Sequence, residues 1–252
     1  MKRYAEPPSL AAEAYHVVRD RIFRGELVLG QSISRRKLAA ELGMSFLPVS
    51  EALLRLEVEG LLESRPRAGT RVRIPTREDV RGLFVLRQAL EGQAAMLFTR
   101  AAKPAERAEL RKLGARVDAL AAQPNRTLYI VLHHKLHRRI AEGARCATLC
   151  DAIEKAHAVA SIWFCLLRKP LPQDQPFRHR SLANVLVDGT PEEAADAMRQ
   201  HIASGLEHTL DVLTPYFRMR KDHGETFFRS AKKQQLQRIA SSDADAVSYQ
   251  TV

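Results

Sequence analysis

His133 and His137 stand four residues apart in LYIVLHHKLHRRIAEG, a stretch whose apolar residues recur at helical spacing. Such a pair projects from one face of a helix with Cβ atoms roughly 6 Å apart, close enough for both imidazoles to hold a single metal ion. His179 and His201 fall in two other helical stretches, each on the apolar side of its own: His179 with Leu182 and Leu186, His201 with Met198, Ile202 and Leu206. If those helices pack together, the four rings converge on their common interior. Two chemistries are open to them, ligation of a metal by neutral imidazoles or the hydrogen bonding of core histidines. His16, His134, His157, His208 and His223 show no such convergence and read as surface or packing residues. Cys146, Cys150 and Cys165 form no CxxC pair, leave one thiol over in any disulfide scheme, and read as reduced core residues.

The elements that must position these histidines are all helical. Thr76 followed by Asp79 is a capping box that opens a helix with Val80, Leu83, Phe84, Leu86, Leu90, Ala94 and Leu97 as its apolar stripe, running to about Ala102. Pro104 opens a second helix to about Ala122, and Pro124 separates it from a third over Thr127 to Ala144. A fourth spans roughly Ala147 to Arg168, and a proline-rich loop from Lys169 to Pro176 precedes a fifth, from near Gln175 to Val187. Thr190-Pro191-Glu192-Glu193 reads as cap, first-turn proline and capping glutamate, and starts a last helix running to about Phe217. Residues 76–217 are therefore expected to be a bundle of about six helices.

The chain ahead of this bundle has different punctuation. Leu10 to Arg24 reads as a helix with Ala14, Val17, Val18 and Ile22 on one face, and Gly25 and Gly30 break the chain before Ser34. RRKLAAEL then forms a short helix stopped by Gly43. Ser45 caps a third helix with Pro48 in its first turn and Val49, Ala52, Leu53 and Leu56 on its buried face, ended by Gly60. Leu61–Ser64 and Thr70–Arg73 flank the turn Pro66-Arg67-Ala68-Gly69, so the third helix carries a small β-wing.

IFRGELVLGQSIS, LAAELGMS and PVSEALLRLEVEGLLESRPRAGTRV, in that order, closely resemble the winged helix-turn-helix domain of GntR-type transcription regulators. Val85-Leu86-Arg87-Gln88-Ala89-Leu90-Glu91, Leu136-His137-Arg138-Arg139-Ile140, His179 with Leu182, and Met198-Arg199-Gln200-His201-Ile202 resemble the all-helical effector domain, called FCD, of that family's FadR-type branch. Together the two cover about residues 8 to 217. The resemblance implies a mainly α protein: 1–75 a winged DNA-binding domain, 76–217 a helical effector-binding and dimerisation domain, and 218–252 a partly disordered C-terminal extension. It also implies a homodimer that binds a double-stranded DNA operator. Where the family reads Ser-Arg-Thr-Pro-Val-Arg-Glu at the start of the recognition helix, this chain reads Ser45-Phe46-Leu47-Pro48-Val49-Ser50-Glu51. Both arginines are absent, and with them the bidentate contacts that read guanine. Phe46 and Leu47 either meet a thymine methyl or pack inward, and Ser50 can donate or accept at a base edge.

In the resembling effector domains an aspartate four residues before the first histidine joins three histidines around a metal. Here His133 stands at the aspartate position, so the implied set is His133, His137, His179 and His201. Four neutral imidazoles suit zinc, nickel or another late divalent ion but contribute no anionic ligand. A small organic carboxylate effector is then expected to complete the site, with Arg87 either its bidentate partner or the ion-pair partner of Glu91 one turn on.

Composition bounds these expectations. The chain has 252 residues, 45% of them hydrophobic and 27% charged, with a net charge of +11. Lys and Arg number 13 against 9 Asp and Glu in 1–75, 20 against 16 in 76–217, and 7 against 4 in 218–252. The excess is spread, so local clusters must bind the polyanion: Arg35-Arg36-Lys37 and the wing with Arg65, Arg67, Gly69, Arg71 and Arg73. No apolar run is long enough to span a bilayer and MKRYAEPPSL lacks a signal-peptide core, so the cytoplasm and no membrane partner are expected. The alternative reading is a metal-dependent enzyme with a vestigial winged domain; a nearby carboxylate base is missing from the sequence neighbourhood of His133 and His137, which favours the regulator and no catalytic residues.

Overall fold

The computed structural model describes residues 9–121, 126–166 and 178–220. Its first helices are α1 (Leu10–Phe23), α2 (Arg35–Leu42) and α3 (Phe46–Val58), with strands β1 (Ser32–Ile33), β2 (Leu62–Arg65) and β3 (Gly69–Val72). Ser34 caps α2 through its side chain, and Gly43 closes that helix in the left-handed region at φ 63°. Ser45 takes the N-cap position of α3, but its hydroxyl makes no capping bond. α1 packs on α3, and Ala14, Val18 and Ile22 of the one and Val49, Leu53 and Leu56 of the other are all buried.

The wing is a three-stranded antiparallel sheet in the order β1-β3-β2. β1 is two residues long, too short to leave a periodic signature in the sequence. The β2–β3 turn carries Arg67 at φ 61° and Gly69 at φ 76°, which presents Pro66, Arg67 and Ala68 to solvent.

The bundle consists of α4 (Arg77–Ala101), α5 (Pro104–Leu120), α6 (Arg126–Gly143), α7 (Ala147–Leu166), α8 (His179–Asp188) and α9 (Pro191–Ser204). The capping boxes of α4 and α9 form as their sequences require: Asp79 N–H donates to Thr76 Oγ1 at 2.9 Å and Thr76 N–H to Asp79 Oδ2 at 2.8 Å, with the same reciprocity between Thr190 and Glu193. α4 is the central element, packing on α6, α7, α8 and α9. Its buried face is not quite the expected stripe. Val80, Phe84, Ala94, Ala95 and Phe98 line it together with Arg87 and Glu91, while Leu86 is 48% exposed.

α9 ends at Ser204 rather than near Phe217. Gly205 caps it, with its N–H bonded to Ile202 O, and helical backbone resumes over 206–220. Among the described residues, compact packing divides the chain between Val212 and Leu213. The proline-rich loop, the expected helix start near Gln175 and the tail beyond 220 lie outside the described residues.

Candidate metal centre and nucleic-acid interface

α6 presents His133 and His137 on one face, α8 begins at His179, and His201 lies in the last turn of α9. Their rings meet, with centroids 4.6 Å apart for His133 and His137, 5.0 Å for His133 and His179, 4.9 Å for His179 and His201, and 5.4 Å for His137 and His201. One ligating nitrogen from each of the four lies within 4.8 Å of the others. The sequence-predicted quartet is therefore brought together.

Two carboxylates that sequence spacing did not reveal hold two of these rings. Glu91, from α4, is 2% exposed and lies 2.5 Å from His137 Nδ1 through Oε2. Burial by itself raises a carboxyl pKa, but Arg87, His157 and His137 beside it hold Glu91 well below its ordinary value. An ionised Glu91 accepts only, so His137 carries its proton on Nδ1 and directs the lone pair of Nε2 away from Glu91. Asp118, from α5, does the same for His179: Oδ1 accepts from Nδ1 at 2.9 Å. Asp118 also accepts the backbone N–H groups of His179 and Arg180, capping α8, whose own N-cap residue Arg178 makes no side-chain capping bond. Gly114, one turn earlier on α5, makes this possible, because a Cβ there would lie 2.5 Å from the His179 carbonyl oxygen.

The Nε2 atoms of His137 and His179 are buried with no hydrogen-bond partner among the described residues. Buried polar nitrogens left this way cost about 1–3 kcal/mol each, and a ligated cation removes that cost. Burial, followed by the neighbouring rings, holds His133 well below the usual imidazole pKa; burial pushes His137 down to about 4 against the pull of Glu91. A neutral ring with a free lone pair is the state that a divalent metal requires of an imidazole, so the residues present fit one.

One expectation needs correction, and two open readings are resolved. The set was expected to lack anionic compensation, yet Glu91 and Asp118 reach it from α4 and α5, elements remote in sequence. Of the surface and packing readings of His157, the buried one holds: it is 3% exposed, and its Nε2 lies 3.0 Å from Glu91 Oε1, a polar neighbour that the sequence did not reveal. Of the two readings of Arg87, the ion pair is formed: Nε donates to Glu91 Oε1 at 2.8 Å, both side chains being buried.

In the winged domain, Phe46 and Leu47 point outward, 57% and 67% exposed. Their inward-packing alternative is set aside. Ser50 donates its hydroxyl to Phe46 O within α3 at 2.9 Å. Arg36 and Lys37 are exposed on α2, as are Arg67 and Gly69 at the wing tip. Arg35 instead donates to Thr70 Oγ1 at 3.1 Å, and a chain of bonds through Ser64 to Glu57 ties α2, the wing and α3 into one frame. Arg71 and Arg65 pair with Glu63, and Arg73 with Asp79 of the α4 capping box at 2.9 Å. These three wing arginines brace the fold. The Arg73–Asp79 pair borders a cavity of about 350 Å³ lined also by Val58, Leu83, Leu86 and Trp163.

The winged region, residues 10–72, matches the model for bacterial regulatory proteins of the gntR family, and residues 82–204 match the FCD domain. The chain is 32% identical over 75% of its length, and 83% of the relative's, to a probable D-xylose utilization operon transcriptional repressor of Paenarthrobacter nicotinovorans. Its fold is similar to that of a putative GntR transcriptional regulator from Rhodococcus sp. RHA1, with a TM-score of 0.69 at 21% identity over 81% of this chain and 99% of that one. It is similar also to McbR/YncC of E. coli, with a TM-score of 0.62 at 21% identity, covering 84% and 100%. A helix-turn-helix with a wing, followed by a helical FCD domain, defines a DNA-binding transcription regulator. The chain belongs to the GntR family and carries an FCD domain, in the manner of the FadR-type branch. It is a regulator and not an enzyme, so the alternative of a catalytic domain with a vestigial wing falls. No helix among the described residues is long and apolar enough to cross a membrane.

Proposed function

We propose that this regulator is controlled by a small organic carboxylate bound at a metal centre made of His133, His137, His179 and His201. The observation that carries the reading is the pair of buried lone pairs on His137 and His179, each aimed by a carboxylate on the opposite ring nitrogen. A divalent ion, zinc or nickel by its fit to imidazole nitrogen, supplies Lewis acidity and positive charge for an anionic ligand when bound. Asp118 and Glu91 orient the rings, and Arg87 keeps Glu91 ionised beside them. Arg87 adds positive charge on the effector's side of α4. The charge balance favours an effector of low negative charge, since Glu91 and Asp118 already offset part of the positive field.

Effector binding reaches the DNA through α4. Asp79 at its N-terminus holds Arg73 of the wing domain, and Arg87 and Glu91 lie two and three turns further along the same helix. A shift of α4 set by the site therefore moves the junction with the winged domain. Two copies of the chain, associated through the bundle, would set two recognition helices on a palindromic operator in the cytoplasm. Arg36, Lys37 and Arg67 are assigned to phosphates, and Ser45, Phe46, Leu47 and Ser50 to the base edges; Gly69 lets the wing backbone approach the duplex, and Arg35 sets the wing's position.

Selection of bound fragments from random DNA, repeated with and without a panel of small carboxylates, tests the proposal. A palindrome whose recovery depends on one carboxylate, and whose dependence disappears on chelation, supports it. A palindrome indifferent to both would remove the effector and metal from the account.

A further inference from the structure

The histidine quartet does not exhaust the ligating groups in the bundle. Glu91 of α4, His137 of α6 and His157 of α7 form a second group whose ligating atoms lie within 4.8 Å of one another, all three residues being buried. His157 Nε2 faces Glu91 Oε1 at 3.0 Å but is not aligned for a hydrogen bond and has no other partner among the described residues. A buried imidazole nitrogen aimed at a carboxylate, yet not bonded to it, is the mark of a position suited to a cation between them.

We propose that Glu91, His137 and His157 form a second seat for a late divalent cation such as zinc, alternative to the quartet, with the His137 tautomer deciding which seat is filled. Two imidazoles and a carboxylate are an ordinary three-ligand zinc set with an open position. A neutral imidazole has one lone pair. With the proton on Nδ1, His137 donates to Glu91 and offers Nε2 to the quartet; with that one proton moved to Nε2, it offers Nδ1 to the second seat and withdraws from the first. The two seats therefore exclude each other and the chain takes one ion.

The quartet is the stronger of the two. Asp118 bonds to His179 and adds negative charge to it, whereas the charge of Glu91 in the second seat is already met by Arg87. The second seat fills when the quartet is disabled, and an ion there pulls on α4 and α7 instead of on α8 and α9.

The proposal shares His137 with the quartet reading, and one cobalt titration of the full-length protein separates them. The wild type, the His133→Ala/His201→Ala variant and that variant with His157→Ala added are titrated with Co²⁺ and followed by visible absorption. The expected result is one ion per chain in the first two, more weakly bound and spectrally shifted in the double variant, and loss of binding in the triple. If the double variant binds none while the wild type binds one, the second seat is refuted and the quartet stands. If wild type and double variant bind identically and the triple variant does not, the second seat stands and the quartet reading fails. Binding in the triple variant equal to that in the double, or no binding in any protein, overturns the second seat. Should the double variant not fold, His133→Asn with His179→Asn disables the quartet without touching Glu91, His137 or His157 and carries the same comparison.

Discussion

Glu91 Oε2 lies 2.5 Å from His137 Nδ1, joining a helix that begins at the wing junction to a helix that carries half of the histidine quartet. The bond sets a tautomer, and the tautomer sets where the ring's lone pair points. Glu91 Oε1 also accepts from Arg87 Nε at 2.8 Å, in an ion pair buried on both sides.

Glu91→Gln therefore has two expected effects. The ring of His137 is no longer fixed, and metal affinity falls about 10–100-fold. Arg87 loses its buried ion pair with Glu91, and breaking such a pair costs about 3–5 kcal/mol in folding stability. Competition with a chromophoric chelator measures the first and urea denaturation the second. Unchanged values of both would mean that Glu91 neither orients His137 nor pairs with Arg87 in solution.

The recognition helix allows a prediction about sequence preference. Phe46→Ala should leave stability within about 0.5 kcal/mol, since the side chain is 57% exposed. It should weaken binding at thymine-containing positions of the preferred site. Ser50→Arg should shift preference toward guanine by about 1–3 kcal/mol. An unaltered consensus after both changes would show that this end of α3 does not face the bases.

Phosphate contacts respond differently. Arg36→Ala and Arg67→Ala should each weaken binding to all sequences alike and reduce the salt slope by about 1. Arg71→Ala should act instead through the wing's stability, since Arg71 is held by Glu63. Filter binding over a range of salt distinguishes them; a site-selective loss at Arg67 with an unchanged slope would contradict the assignment.

How much of this was legible in the sequence depended on whether the signal was local. The capping boxes at Thr76 and Thr190, the glycine stop at Gly43 and the turn at Pro66–Gly69 are each contained in four residues or fewer, and each formed. The convergence of His133, His137, His179 and His201 was readable because the first two stand one turn apart on one helix, the other two lie on the apolar sides of theirs, and all four match the positions of the resembling domain's metal set. Glu91, Asp118 and His157 were not, because their roles depend on which helices pack together. Glu91 left one faint trace: with Phe84, Arg87, Ala94 and Phe98 it keeps helical spacing on the face that α4 buries. The stripe of leucines at 83, 86 and 90 pulled the reading one position around the helix.

The metal-free protein should lose stability in acid before its carboxylates titrate. Burial holds His133 below the usual imidazole range and pushes His134 and His137 to about 4, against about 6.5 unfolded. Between these values the unfolded chain binds more protons, so the contribution is whole above pH 6.5 and is lost as pH falls toward 4. Urea midpoints of chelator-treated protein should fall from pH 7 to pH 5. A flat profile over that interval would mean that the rings are solvated.

His133→Asp probes the charge of the site. The aspartate should keep the metal while weakening an anionic effector, because it supplies negative charge within the ligand set. Calorimetric titration with the carboxylate found by selection reads the change; equal or tighter effector binding would place the effector away from the metal.

The metal content of protein purified without chelators tests the central claim most directly. The account predicts about one divalent ion per chain by elemental analysis, a melting temperature lowered by chelation and restored by zinc, and loss of the ion in His137→Ala. No metal in the purified protein, with a melting temperature that added zinc leaves unmoved, would contradict it and make the four histidines a polar core cluster.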